Sequence, residues 1–241
     1  MNRGVNRVYE VITFDFWNTL FHELNPRLTM MIRIEEMRMT LERFGLIRSA
    51  AEIENGFVNA WHDARYQQLA MGIEVGPAGH VARLQHWLDL PDHQPLIDAV
   101  YNTYVDVVKL DPPALLDGAA EVLPKLAEKY RLAVICNTGA APGSILREVM
   151  DLAGIFQYFT VTVFSDEVGL AKPNPEIFRH TLRQLGTQPE RAVHMGDDPL
   201  TDVIGSRRAG MKAVWLAPQS SWTVPECTWH IRNWRQLLEI F

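Results

Sequence analysis

Cysteine is scarce: two residues, Cys136 and Cys227, in a chain of 241. So few thiols exclude a disulfide-built scaffold, and no Cys/His cluster has the spacing of a zinc site. Long apolar runs are missing too, since none approaches the roughly 18 residues of a membrane span. There is no basic excess. The net charge of −6 argues against nucleic acid or an anionic membrane as partner, because an acidic surface would be repelled by both. Residues 1–7 lead toward a strand without the apolar core of a signal peptide, which predicts a cytoplasmic protein. No internal repeat or low-complexity segment interrupts the chain. These absences set nucleic acid and membranes aside as partners and leave open whether the chain is a monomer or a homodimer.

What the chain does have is an ordinary globular share of apolar residues, 47%, enough for one large domain or a domain with an insertion. Residues 8–14 are a short, β-rich apolar run that stops at a carboxylate, Asp15, and breaks at Asn18-Thr19. Such a run reads as a strand buried on both faces of a parallel sheet. The carboxyl ends of these strands are where open α/β sheets build their sites. After Leu20 the pattern turns helical and stays so to residue 111. Asn25-Pro26 opens a first helix, which Gly45 closes. Ser49 and Glu52 form a capping box for a second, which runs to about Met71. Gly76-Pro77 starts a third and Pro95 a fourth, and Asp111-Pro112 ends the segment. Four amphipathic helices without an intervening strand look like a small bundle inserted into another domain.

From Leu115 onward helix and strand patterns alternate. Helices are expected over 118–129 (kinked or interrupted by Pro124), 145–150, 175–185, 201–209 and 234–240. Strands are expected over 132–136, 158–164, 192–195, 212–216 and 228–231. Alternation of this kind implies crossover units and a parallel sheet. The expected fold is therefore α/β, with a Rossmann-like parallel sheet in 1–20 and 112–241. A helical lobe over 21–111 splits it after the first strand.

Four strand ends would then share one rim. They bring Asp15, then Cys136 with Asn137 and Thr138, then Lys172, then Asp197 and Asp198 with Asp202. A carboxylate nucleophile, small polar groups with free N–H, an ammonium and an acidic cluster are what phosphoryl transfer to an aspartate requires. The ammonium and N–H groups would hold phosphate oxygens, and the acids would bind Mg²⁺.

Taken in order, these motifs resemble those of the haloacid dehalogenase superfamily, a family of mostly Mg²⁺-dependent, aspartate-nucleophile phosphatases. The similarity covers essentially the whole chain. The first motif is Asp15-Phe16-Trp17-Asn18-Thr19-Leu20, the second Cys136-Asn137, the third Lys172-Pro173, and the fourth runs from Gly196 to Asp202. The resemblance implies that Asp15 is the nucleophile and a Mg²⁺ ligand, with the Trp17 carbonyl and Asp197 as further ligands. Asp198 or Asp202 would hold metal-bound water or orient Lys172. Cys136, Asn137, Thr138 and Lys172 would contact phosphate, and Thr19 would brace the loop around Asp15. The helical lobe is similar to the family's cap, which selects the substrate. Arg33, Arg38, His62 and Arg65 are its candidate selectors. The implied activity is a phosphatase acting on a small phosphorylated metabolite through an aspartyl-phosphate.

Two positions depart from the commonest family pattern. Trp17 stands where most family phosphatases carry a second Asp, the general acid/base, and an indole N–H does not titrate usefully. Its loss should weaken turnover of esters with poor leaving groups most. Cys136 stands where Ser or Thr is usual. Trp17 also opens the reading of a metal-free 2-haloacid dehalogenase, but a carboxylate at Asp197 would repel a carboxylate substrate. Cleavage of phosphonates through a cap lysine is disfavoured, because Lys109 is the single lysine between residues 21 and 111. A third reading is a catalytically degraded scaffold that binds a phosphorylated ligand or a protein. The tail tryptophans (Trp215, Trp222, Trp229, Trp234) fit that idea, though ordinary packing, with Trp234 on the inner face of the last helix, is the favoured reading. His80 and His86, six residues apart, fall on different helix faces and take no metal role.

Overall fold

A computed structural model of the protein describes residues 8–241. Its centre is β1 (Val11–Phe14), wholly buried, as a run with no polar alternation requires. Beside it lie β4 (Arg131–Cys136) and β6 (Ala192–Gly196), both parallel to it. With β5 (Phe159–Phe164), β7 (Lys212–Leu216) and β8 (Trp229–Ile231) they form a six-stranded parallel sheet of order β5-β4-β1-β6-β7-β8. The order reverses at β1, so its carboxyl end lies at the crevice where such sheets bind ligands.

Side chains alternate across β1. Ile12 and Phe14 join one apolar layer, shared with α5 (Ala119–Ala127) and α6 (Gly143–Leu152). Val11 joins the other, packed under α8 (Pro175–Leu185). Pro124 lies within α5 and does not end it. Trp234 is 1% exposed, stacks on Phe14 at 5.2 Å and donates its indole N–H to the Thr19 carbonyl at 2.8 Å. The tail tryptophan is thus part of the packing beneath the Asp15 loop.

Helices α1 (Pro26–Arg43), α2 (Ala50–Met71), α3 (Gly76–Trp87) and α4 (Gln94–Leu110) follow one another between β1 and β4. They close on a core of their own, with Met37, Leu41, Ile53, Leu84 and Val100 buried in it. The capping box at Ser49 is formed in both directions. The chain enters and leaves this bundle through two short strands, β2 (Phe21–His22) and β3 (Ala114–Leu115), paired antiparallel. The sequence pattern predicts neither strand, because two residues are too few to display alternation. Pro199–Ile204 forms a π-helical turn before α9 (Gly205–Arg208), where the pattern predicts one α-helix over 201–209. Among the described residues no helix is long and apolar enough to cross a membrane.

The α2–α3 connection reaches down to the sheet. Ala171 N–H donates to the Gly72 carbonyl at 3.0 Å, and Glu74 N–H to the Gly169 carbonyl at 3.3 Å. Gly72 takes a left-handed φ of 64°, with the Asn174 side chain against it, so no other residue fits there without strain. Glu74, 8% exposed, accepts from Ser165 Oγ at 2.5 Å, Gln68 Nε2 at 2.9 Å and the N–H groups of Val75 and Gly76. Ser165 Oγ in turn accepts from Thr138 N–H at 2.9 Å. One buried carboxylate thereby ties the helical bundle to the loop after β4.

Glu74→Gln keeps the shape but removes the charge and puts an N–H where the carboxylate accepts from Ser165 and Gln68. It should cost about 1–3 kcal/mol, the scale of an unsatisfied buried group. We expect a lower Tm and a higher KM with little change in kcat. An unchanged Tm would show that this tie does not hold the bundle down.

Candidate active site

The carboxyl ends of β1, β4 and β6 and the loop after β5 meet at one buried ammonium. Lys172 Nζ donates to Asp15 Oδ1 at 2.5 Å and to Asp202 Oδ1 at 2.6 Å, and Lys172 is 2% exposed. Its position is fixed from behind by Asn137, whose amide makes two bonds to the Lys172 backbone. Nδ2 donates to the Lys172 carbonyl at 2.9 Å, and Oδ1 accepts from Lys172 N–H at 2.8 Å.

Asp202 is saturated. It accepts from Lys172, from His194 Nε2 at 3.2 Å and from Asp198 N–H at 3.0 Å. Since Nε2 of His194 donates, Nδ1 is the acceptor, and it faces Thr13 Oγ at 2.8 Å. His194 is fully buried, and burial lowers its pKa, which keeps it neutral. A relay of Thr13, His194 and Asp202 therefore holds Lys172 against Asp15. Gly196 makes this possible, since a Cβ there would overlap the Asp202 carboxylate.

Charge in the cluster is unbalanced. Asp15, Asp197 and Asp202 each offer an oxygen within 4.8 Å of the others, three carboxylates against one ammonium. Burial raises Asp15 to about 7; the Asp202 charge adds to this and Lys172 opposes it. Burial likewise raises Asp197 to about 8, helped by the charges of Asp15 and Asp202. Asp202 goes the other way, because Lys172 and His194 overcome its burial. Lys172 is held charged by Asp15 and Asp202 despite its burial. A hard divalent cation among these oxygens would offset the two excess negative charges, so the donor set fits Mg²⁺.

The remaining sequence candidates lie at varied depths. Asp198 stands outside this three-carboxylate group but lines the cavity: its Oδ1 caps the turn at Leu200 and Thr201 N–H, and its Oδ2 pairs with Arg65 at 3.0 Å. Cys136 is likewise corrected as a phosphate contact. Its thiol is fully buried in the apolar layer, and burial raises its pKa far out of the reactive range. The Thr19 carbonyl accepts from Trp234, while its buried hydroxyl has no hydrogen-bond partner among the described residues. Trp17 is half-buried, packs edge-on against Phe16 at 5.0 Å and lines the cavity. Asn137 and Thr138 line it too.

The cavity, about 700 Å³, opens between these strand ends and the helical bundle. Asp15, Trp17, Lys172 and Asp197 line one end, and Arg33, His62, Arg65, His80 and Tyr104 come from the bundle. Arg38 is elsewhere, pairing with Glu35 and Glu42 on the surface of α1, and is not a selector. Sequence reading missed Glu74, Ser165, His194 and His80 as parts of the site. Only His194, one residue inside a site-bearing strand end, carried a signal that could have found it.

A family model of haloacid dehalogenase-like hydrolases matches residues 9–210. A phosphoserine phosphatase of Thermus thermophilus is 39% identical over 97 residues, which are 40% of this chain and 39% of that one. The chain thus spans about two fifths of that curated relative's length. A solved HAD phosphatase from Thermococcus onnurineus has a TM-score of 0.70 at 22% identity, covering 96% of this chain and 97% of that one. A 2-haloacid dehalogenase from Pseudomonas syringae has the same TM-score at 23% identity, again covering 96% and 97%. At such identities the structural likeness is one of fold. The family match, with an aspartate, a lysine and two further aspartates gathered at the rim of a parallel sheet, places this chain in the haloacid dehalogenase-like hydrolase family.

Proposed function

We propose that the protein is a Mg²⁺-dependent phosphatase that transfers a phosphoryl group to Asp15 and then hydrolyses the aspartyl-phosphate. The observation that carries this reading is the Lys172 ammonium wedged between Asp15 and Asp202, with Asp197 close by and the cavity in front. An Asp15 oxygen would attack phosphorus, forming an O–P bond as the ester O–P bond breaks and the alkoxide leaves. Lys172 would hold a phosphoryl oxygen and keep Asp15 aimed, with Asp202 and His194 fixing the lysine. Asp15, Asp197 and the Trp17 carbonyl would hold Mg²⁺, which supplies neutralising charge to the phosphoryl oxygens. Trp17 cannot protonate the leaving oxygen, so acyl and aryl phosphates should be the better substrates. The helical bundle would act as the cap that encloses the substrate.

Trp17 also suits a 2-haloacid dehalogenase. Against that second reading stand three clustered carboxylates, which would repel an anionic haloacid. The test is release of phosphate from para-nitrophenyl phosphate and acetyl phosphate with Mg²⁺ or with EDTA, alongside halide release from 2-haloacids without metal. We expect turnover with Mg²⁺, none with EDTA, and no halide. Halide release without metal would overturn the phosphatase reading.

Metal binding should also show in stability. Asp15 and Asp197 titrate near 7 and 8 in the folded chain, against about 4 when unfolded. The folded state therefore binds more protons than the unfolded between about pH 4 and 8, and these groups make stability fall as pH rises through that window. A cation that takes the place of those protons restores it. Saturating Mg²⁺ should raise Tm by about 5 °C or more at pH 8, and by little at pH 5. An equal shift at both pH values would separate the bound ion from these carboxylates.

A further inference from the structure

Two tail tryptophans donate into the loops that carry the acids. Trp234 reaches the Thr19 carbonyl in the loop after Asp15, and Trp215 donates its indole N–H to the Asp197 carbonyl at 2.8 Å. Trp215 is 3% exposed and lies on β7 directly across from Gly196, the last residue of β6. Asp197 follows that residue and stands beyond the ladder, so its carbonyl needs a partner from elsewhere. The indole supplies it. Two further rings lie against Trp215. His230, its register partner on β8, is at 4.8 Å, and Trp222, which is 57% exposed, is also at 4.8 Å. Val203, Ala213 and Val224 share its apolar cluster, so the indole has little freedom to tilt.

The same peptide unit is held from its other side. Its N–H belongs to Asp198 and donates to Asp202 Oδ2 at 3.0 Å, and Asp202 is itself bonded to Lys172. The peptide plane after Asp197 is therefore pinned at both its polar groups, which fixes the backbone from which the Asp197 side chain departs. That restraint has work to oppose. The Asp197 carboxylate offers an oxygen within 4.8 Å of those of Asp15 and Asp202, and the Lys172 ammonium donates to those two. Like charges so close push one another apart. A backbone that cannot turn keeps Asp197 in the cluster, so the oxygens are gathered before a cation arrives and little ordering cost is deducted from its binding.

We infer that Trp215 is a positioning residue for Asp197: its indole N–H, and not its bulk alone, holds that carboxylate where a divalent cation binds. The inference rests on the reading that Asp197 is a Mg²⁺ ligand. Groups that orient a metal's ligands without touching the metal commonly set about 10- to 100-fold of its affinity. Cation affinity thereby depends on β7, a strand that contributes no carboxylate to the cluster.

The test is calorimetric titration of Mg²⁺ into the wild-type chain and into Trp215→Phe, with thermal melts of both metal-free proteins. Trp215→Phe keeps an aromatic ring beside His230 and Trp222 and deletes the N–H. We expect its Kd for Mg²⁺ to rise about tenfold or more. Trp222→Ala is the packing control. It removes a ring lying against Trp215 and should lower the metal-free Tm, but it leaves the donor in place, so its Kd should stay near the wild-type value. Should Trp215→Phe not fold, benzothienylalanine incorporated at position 215 keeps the shape of the indole without its N–H, and the same rise in Kd is expected. A Kd unchanged on loss of the N–H, or raised as much by Trp222→Ala, would overturn the inference and leave the phosphatase reading untouched. A wild-type chain that binds no Mg²⁺ gives a different result, which sinks the metal-dependent reading and this inference together.

Discussion

Asp15→Asn will eliminate turnover of para-nitrophenyl phosphate, by about 10⁴-fold or more, without unfolding the protein. Losses of that scale follow removal of a covalent nucleophile. The amide has the carboxylate's shape but cannot displace an alkoxide. Stability should not suffer in the metal-free protein at pH 8, since ionised Asp15 sits among other buried carboxylates and its raised pKa marks its charge as unfavourable there. Lys172→Met gives the contrasting case. It too should be inactive, but it strands Asp15 and Asp202 without their shared cation, and breaking a buried pair in this way costs about 3–5 kcal/mol. Activity assays with denaturant melts on both variants separate reactivity from stability. Asp15→Asn retaining more than a hundredth of wild-type turnover would assign the nucleophile elsewhere.

The same pair of residues shows what a sequence can disclose. Asp15 and Lys172 were legible because each interrupts an apolar or proline-framed context at a strand end, and a parallel sheet gathers strand ends. Asp197 and Asp202 were legible for the same reason, but the division of labour around them was not. Asp198 is adjacent to Asp197, yet its carboxylate caps the following turn. That depends on a π-helical backbone which residue spacing does not encode. Cys136 was placed by motif position, whereas the pleat decides its direction, and its side chain falls on the inner apolar layer. The ties from Glu74 to Ser165 and from Ser165 to Thr138 join positions far apart in the chain. No local pattern announces them. His80 was set aside as a metal ligand from its helical spacing, which does not tell that the residue lines the cavity.

Trp17→Asp will raise kcat/KM for alkyl phosphates by about 10²–10⁴-fold, the range that a positioned general acid supplies. Trp17 already lines the cavity two residues after Asp15, and its backbone is fixed by bridging to Phe21. A carboxyl group in its place would therefore stand beside the leaving oxygen of a phosphoryl group under attack by Asp15. Its proton is secured by its neighbours. Asp15 and Asp197 are each pushed up by burial and by surrounding carboxylates, and a further acid in that cavity meets the same repulsion. The gain must depend on the leaving group. An alkoxide needs the proton and should show the full effect. Acetyl phosphate, whose leaving group departs unaided, should change less than tenfold. The log of kcat/KM against leaving-group pKa should consequently flatten in the variant, and its pH profile should gain a descending alkaline limb as the new acid ionises. Loss of the indole's contact with Phe16 lowers Tm somewhat, which a melt reports separately. A folded Trp17→Asp enzyme with wild-type dependence on the leaving group would mean that position 17 does not face the departing oxygen, and the search for the proton donor would move to the histidines lining the cavity, His22, His62 and His80.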